Sequence, residues 1–293
     1  MQIILILGCG YTGLRLGIRL RKLGYRVIGT ARSAAHIDAM QVAGIEAVTG
    51  DLDQPALRSL AALRPAVVAC FVAPPRSGVD PLPLMLQAFR DARMEAFLYA
   101  SSTAVYGDRF GDWVDESTRV EATETADVRR IAAEALVGDA VRQHGLPARI
   151  CRISGIYGPG RTLRALLQSG QYRLIRECDP WVGRIHVDDL VTGLVAAWKR
   201  GRGGGLYNMV DERPHRASEF ANLAADLNGL PRPDWIDEAE ARSRYEPDEY
   251  RRKVASKRIK CAALKEELEV QLKYPAYTDG LPAAVAEDRR SPA

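Results

Sequence analysis

The first 150 residues alternate short apolar runs with amphipathic stretches, a rhythm that few folds accommodate. Apolar runs recur at Ile3–Leu7, Val27–Gly29, Ala47–Thr49, Val67–Val72, Ala96–Ala100 and Ala148–Cys151. Between them, helical spacing is found around Leu14–Leu23, Ile37–Ala43, Leu57–Leu63, Leu82–Ala92 and Val128–Arg142. A strand that is apolar on both faces has to be covered on both faces, and parallel strands need a crossover to join them. Such crossovers are right-handed, so the pattern predicts a doubly wound parallel α/β sheet.

Beyond residue 155 the rhythm breaks. Tyr157-Gly158-Pro159-Gly160 is turn chemistry, Arg184–Trp198 reads as a short strand and a helix, and Gly201–Gly205 is a glycine-rich turn. Pro231–Lys257 is polar, charged and proline-punctuated, and a helix is expected near Tyr277–Glu287. The organisation expected is a sheet domain over 1–156 to which 184–204 returns. A smaller α+β lobe over 157–183 and 205–283 would hold substrate, and 284–293 would be a tail.

Of the 293 residues, 47% are hydrophobic and 27% charged, which suits a core built without staples and excludes disordered, collagenous and disulfide-scaffold chains. The 41 basic and 37 acidic residues leave a charge of +4 and are interspersed, so there is no nucleic-acid footprint. No helix-turn-helix cue accompanies them. No apolar run approaches the roughly 18 residues that span a membrane, and no basic leader precedes the first run. The expectation is a cytoplasmic protein with neither membrane nor nucleic-acid partner. Five scattered cysteines read as reduced thiols, and four histidines without ligand spacing predict no metal site.

Gly8-Cys9-Gly10-Tyr11-Thr12-Gly13 falls between the first apolar run and the first helix. In that context, glycines at the first, third and sixth positions form a dinucleotide loop. Gly8 permits the turn, Gly10 lets backbone amides approach a pyrophosphate, and Gly13 lets the helix pack close with its N-terminus toward the anion. Tyr11 and Thr12 complete the loop, and Cys9 is read as filler. About 20 residues further on, a site for NAD carries a carboxylate for the ribose hydroxyl. Here the segment is Gly29-Thr30-Ala31-Arg32-Ser33, and a cation with a hydroxyl suits a 2′-phosphate, so NADP is favoured over NAD. Asp51 is expected at the adenine amino group, with Leu52 on the ring. Ala73, before Pro74-Pro75, is expected beside the nicotinamide half.

The fifth run ends Tyr99-Ala100-Ser101-Ser102-Thr103-Ala104-Val105-Tyr106-Gly107. With the glycine loop, Asp51-Leu52, Ile156-Tyr157-Gly158-Pro159-Gly160 and Ile185-His186-Val187-Asp188-Asp189, it resembles the extended short-chain dehydrogenase/reductase superfamily, in its NAD-dependent epimerase/dehydratase group. The resemblance covers nearly the whole chain. It implies a Rossmann domain with a C-terminal substrate lobe, hydride transfer on nucleotide sugars and a homodimer. Members use a Tyr-x-x-x-Lys pair on the helix after the serine strand, and that pair occurs nowhere in this sequence. The tyrosine position falls on Ala126 and the lysine position on Arg130, which is left to hold cofactor hydroxyls but is a poor proton shuttle. This pattern resembles the atypical, nucleoside-diphosphate-sugar epimerase-like branch, as do Trp113-Val114-Asp115-Glu116 and Tyr274-Pro275-Ala276-Tyr277-Thr278-Asp279-Gly280-Leu281. A second departure is Gly155, where nucleotide-sugar members often carry asparagine near the substrate's phosphates.

For chemistry, Ser102 is the leading candidate to touch substrate, with Tyr106 and Glu116 as surrogate acids. Thr103, Tyr157 and Arg161 are expected to line the substrate site, and His186 reads as structural. Two functions stay open. One is an NAD(P)-dependent oxidoreductase or epimerase acting on a small polar, sugar-like substrate. The other is a catalytically weak dinucleotide-binding redox sensor or scaffold.

Overall fold

The structure, a computed structural model, describes residues 1–123 and 127–290. Seven strands form the central sheet: β1 (Ile3–Leu7), β2 (Arg26–Ala31), β3 (Glu46–Thr49), β4 (Val67–Cys70), β5 (Ala96–Ser102), β6 (Ala148–Ile153) and β7 (Leu206–Met209). All pairings are parallel, in the order β7-β6-β5-β4-β1-β2-β3. The chain winds outward from β1 in both directions, the doubly wound Rossmann-type order, with a topological switch beside β1. The helices joining successive strands are α1 (Tyr11–Lys22), α2 (Ala34–Val42), α3 (Gln54–Ala62), α4 (Leu82–Phe89) and α5 (Val128–His144), with α6 (Val187–Lys199) leading into β7.

Strand alternation divides the core in two. Ile4 and Ile6 face one layer with Leu16 and Leu20 of α1 and Leu190 and Leu194 of α6. Leu5 and Leu7 face the other with Leu57, Met85, Phe89 and Val137. Both sets are buried, which is why these strands read as unbroken apolar runs.

The structure redraws two expected boundaries. Leu206–Met209 joins the sheet beside β6, so the returning segment runs past residue 204. The last helix continues to Arg290 rather than ending near Glu287, so residues 284–290 are not tail. The rest of that tail, Ser291–Ala293, and the tyrosine-equivalent Ala126 lie outside the described residues. The polar, proline-punctuated Pro231–Lys257 stretch holds helices at Glu238–Arg244 and Pro247–Val254.

The smaller layer beside the sheet's carboxyl edge is built from short pairings. Gly155–Tyr157 lies parallel to Arg184–His186, and Trp181–Val182 lies antiparallel to His215–Arg216. Helices α7 (Ala217–Asn228) and α8 (Tyr277–Arg290) close over them, with Tyr157, Phe220, Leu281 and Val285 as their shared core. Among the described residues, no helix is long and apolar enough to cross a membrane.

Candidate active site

The glycine loop turns sharply off β1 at Gly8, whose φ of +78° favours a residue without Cβ. A Cβ there would also lie 3.2 Å from the Val72 side chain and 3.3 Å from the Phe71 backbone. Gly13 lets α1 settle against β1, since a Cβ would meet Ile6 at 3.0 Å. At Gly10, by contrast, an added Cβ meets nothing within 4 Å. The loop is held from beneath: Gly8 N donates to Thr30 Oγ1 at 3.0 Å and Cys9 N to the Thr30 carbonyl at 2.7 Å. Gly10 caps α1 without a side-chain hydrogen bond, and the first turn carries no acidic residue. The helix N-terminus therefore presents free amides and its positive dipole end to the space above the loop. Cys9 is buried under this turn, and desolvation raises its thiol to about 12, which leaves it inert at neutral pH.

That space is a cavity of about 290 Å³ lined by Gly8, Gly10, Tyr11, Thr12, Gly13, Ser102, Arg130 and Arg161 among the expected residues. Phe71, Ala100, Ser101, Ile153, Ser154 and Ile156 complete its wall. Ser102 ends β5 there, and its Oγ accepts from Ala104 N at 3.2 Å. Arg130 reaches in from the first turn of α5, donating to the Ala100 carbonyl at 3.1 Å with Asp127 at 3.6 Å. Tyr11 crosses to the smaller layer: its hydroxyl donates to the Pro159 carbonyl at 2.9 Å, and the Arg161 guanidinium stacks 4.2 Å from its ring centre. Burial raises the Tyr11 phenol above its ordinary value, against the pull of Arg15 and Arg161.

Arg161 and Ile156 also border a second, larger cavity of about 1000 Å³. Its wall takes in Arg164, Leu166, Arg184, Phe220 and Arg289. Asp288 also faces it, but is bound to Gly160 N at 2.7 Å and Thr162 Oγ1 at 3.2 Å.

The remaining candidates sit outside the smaller cavity's wall. Tyr106 is 1% exposed beneath it, its hydroxyl 2.8 Å from Asn208 Oδ1 and 2.9 Å from the Asp115 carbonyl, so its proton is already engaged. Burial raises that phenol as well. Glu116 is raised by burial, in the direction expected of an acid, yet its Oε1 accepts from Asn208 N at 2.9 Å. Thr103 is buried behind Ser102. Tyr157 belongs to the core of the smaller layer, packed 5.5 Å from Phe220 and 5.3 Å from His186, ring centre to ring centre. Arg32, Asp51 and Ala73 are exposed along the carboxyl edge, and Leu52 packs partly into the core. Ser33 caps α2, accepting from His36 N and lying 2.7 Å from His36 Nδ1.

His186 and His215 are both buried with one ring nitrogen unpartnered among the described residues. Burial lowers His215 to about 4 between Phe220 and Tyr277. A histidine with a depressed folded pKa binds its proton more readily when unfolded, so stability falls as pH drops from about 6.5 toward 4 and levels off below. His215→Phe is expected to remove this share, at most about 3 kcal/mol, from the pH dependence of urea unfolding. An unchanged pH profile in the variant would count against it.

Comparison with known proteins agrees with the fold. The model of the NAD dependent epimerase/dehydratase family matches residues 4–209. A functionally unknown conserved protein from Silicibacter pomeroyi is 33% identical and superposes with a TM-score of 0.85, over 98% of this chain and 99% of its own. Protein YeeZ of Escherichia coli K12 is 24% identical over 251 residues, 80% of this chain and 87% of that one. UDP-glucose 4-epimerase from Thermotoga maritima shares the fold at a TM-score of 0.83, with 16% identity and 99% of each chain covered.

Proposed function

Because the chain belongs to the NAD dependent epimerase/dehydratase family, we propose that it binds a nicotinamide dinucleotide across the sheet's carboxyl edge and acts on a small polar, nucleotide-sugar-like substrate in the adjoining cavity. The observation that carries this reading is the open space over Gly10, beside a helix end without a side-chain cap and between two glycines where a Cβ would press on Val72 and Ile6. The residues present fit the cofactor. Gly8, Gly10, Tyr11, Thr12 and Gly13 cradle its pyrophosphate, and Arg130 meets a ribose. Asp51 and Leu52 receive the adenine, and Ala73 flanks the nicotinamide half. Arg32, exposed at the end of β2, faces the 2′-phosphate, which makes NADP the preferred form; Ser33 stands beside it. Bound nicotinamide supplies a hydride acceptor or donor.

On the substrate side Ser102 orients the reacting oxygen, and Arg161 and the neighbouring 157–183 and 210–290 segments receive the rest of the molecule. The alternative of a catalytically weak cofactor sensor is supported by one observation: among the described residues, the wall of the smaller cavity contains no carboxylate, histidine or lysine. A hydroxyl without a base beside it contributes little of the roughly 10²–10⁴ that acid–base help supplies.

Titration of the purified chain with NADPH, NADP, NADH and NAD, followed by nicotinamide fluorescence, tests the reading. NADPH is expected to bind tightest, and Arg32→Ala to weaken it about tenfold while sparing NADH. Ser102→Ala is expected to leave dinucleotide affinity intact and to lower turnover about tenfold, the worth of one hydrogen bond to substrate. If no dinucleotide binds at millimolar concentration, both functions fail. Tight binding without turnover of any sugar nucleotide favours the sensor.

A further inference from the structure

Helix Pro247–Val254 lies between the smaller layer and the sheet domain and touches the two in different ways. Toward the smaller layer the contact is apolar and partial. Tyr250 and Val254 pack partly buried against Ile175, Ile236 and Tyr245, and Lys253 lies 4.6 Å and 4.4 Å from the Tyr172 and Tyr245 ring centres. All eight residues of the helix keep some exposure. Toward the sheet domain the contact is ionic. Asp248 Oδ2 accepts from Arg129 Nη2 of α5 at 2.8 Å and lies 4.0 Å from Arg76 Nε, in the loop between β4 and α4. The same carboxylate pairs with Arg251 of its own helix. The Asp248 side chain is 24% exposed, so this is a network that water screens only in part.

One carboxylate thus answers for guanidiniums on both sides of the contact. A gap of about 40 Å³ remains there, bordered by Ala104, Val128 and Arg129 of the sheet domain and by Arg251 and Arg252 of the helix. Burial lowers Arg252, and the like charges of Arg76 and Arg129 add to that shift, against the pull of Glu249 and Asp127. Without the charge on Asp248, cations would face one another across a contact that packing does not seal.

The other side of the helix walls a cavity of about 310 Å³, with Glu249, Arg252 and Lys253 opposite Tyr172, Cys178 and Val182. Cys178 Sγ donates to the Val254 carbonyl at 3.4 Å, which sets a thiol against the end of the helix. The flanks of the segment are fixed. Tyr245 is buried at one end, and at the other Ser256 N donates to Asp108 Oδ1 at 2.9 Å while Ser256 Oγ accepts from Trp181 N at 3.0 Å.

We propose that residues 246–255 form a strap that opens this cavity to solvent, and that Asp248, clasped to Arg129 and Arg76, holds it shut. Movement is confined to the span between the two fixed flanks, a local opening rather than an unfolding of the layer. The inference goes beyond the function proposed above and needs no ligand for its test.

Modification of Cys178 by N-ethylmaleimide in the full chain, located by mass analysis of peptides, reads the opening. Asp248→Asn is expected to raise the rate at Cys178 about fivefold or more, and Arg129→Gln to do the same from the other side of the clasp. About 0.5 M salt is expected to speed the native chain several-fold and to leave Asp248→Asn no faster, because its clasp is already gone. The charges acting on the Cys178 thiol come from Asp108, Asp179, Glu238 and Arg216, so removing Asp248 changes access to the thiol rather than its ionisation. Buried Cys9, Cys70 and Cys151 are expected to stay unmodified throughout. Amide hydrogen exchange is expected to quicken over 246–255 and to stay unchanged in β1, β4 and β5. The strap is overturned if Cys178 and the 246–255 amides keep their native rates in both variants and at high salt. It is equally overturned if the buried thiols react in step with Cys178, since that would mark global unfolding.

Discussion

Replacing Glu134 by glutamine is expected to cost about 3–5 kcal/mol of stability, a large part of the 5–15 kcal/mol typical of a folded domain. Glu134 projects from α5 into the sheet and meets Arg152 of β6, with Nη2 to Oε2 at 2.7 Å and Nε to Oε1 at 3.1 Å. The two side chains are only 7% and 4% exposed. Ser101 adds a third contact, its hydroxyl donating to Oε1 at 2.5 Å, and the guanidinium lies 4.8 Å from the Tyr106 ring centre. Glutamine keeps the shape but leaves Arg152 charged and uncompensated in a desolvated place. The double variant Glu134→Leu, Arg152→Met removes both charges and is expected to recover most of the loss. Urea unfolding at pH 7 measures both. A single-variant loss below 1 kcal/mol would show that water or another group satisfies Arg152.

The second large effect is functional. Gly10→Val is expected to lower dinucleotide affinity about a thousandfold, roughly 4 kcal/mol, while stability falls by only about 1 kcal/mol, the cost of valine at a helix N-cap. The separation comes from the geometry, because nothing of the protein lies within 4 Å of a Cβ at this position. A Cβ here displaces no protein atom, so the main obstruction falls on whatever approaches the amides at the start of α1. The same substitution at Gly13 would strike Ile6 and disturb the fold, so it could not separate the two. Dinucleotide titration beside thermal unfolding is the check; a large fall in Tm, or intact binding, would refute the assignment of this loop.

The parts of this molecule legible in the sequence were those whose signals are local. The glycine loop is six consecutive residues between a strand and a helix, and the buried strands carry their apolar runs on their own backbone. What depended on distant contacts was not legible. Leu206–Met209 is a short mixed segment that becomes a strand only against β6. Glu134 and Arg152 look in isolation like solvated charges, and only the crossing of α5 over β6 brings them together and buries them. Tyr106 stood out as a candidate acid, yet the turn after β5 commits its hydroxyl to Asn208 and the Asp115 carbonyl. Ser154 and Ile156 enter the smaller cavity's wall through tertiary placement, which no spacing announces. Gly155 was legible as a departure, but that Arg184 packs close to it follows only from the strand pairing.

The contact between Tyr11 and the 158–161 turn has a thermodynamic consequence. Arg161 rests on the Tyr11 ring and faces both cavities, so it is a wall with two sides. Any molecule that displaces it from one side alters the fit on the other, and the coupling has to be the same whichever arrives first. The two sites therefore share one coupling free energy, equal in both directions, and Tyr11→Phe, which releases Pro159, changes its size.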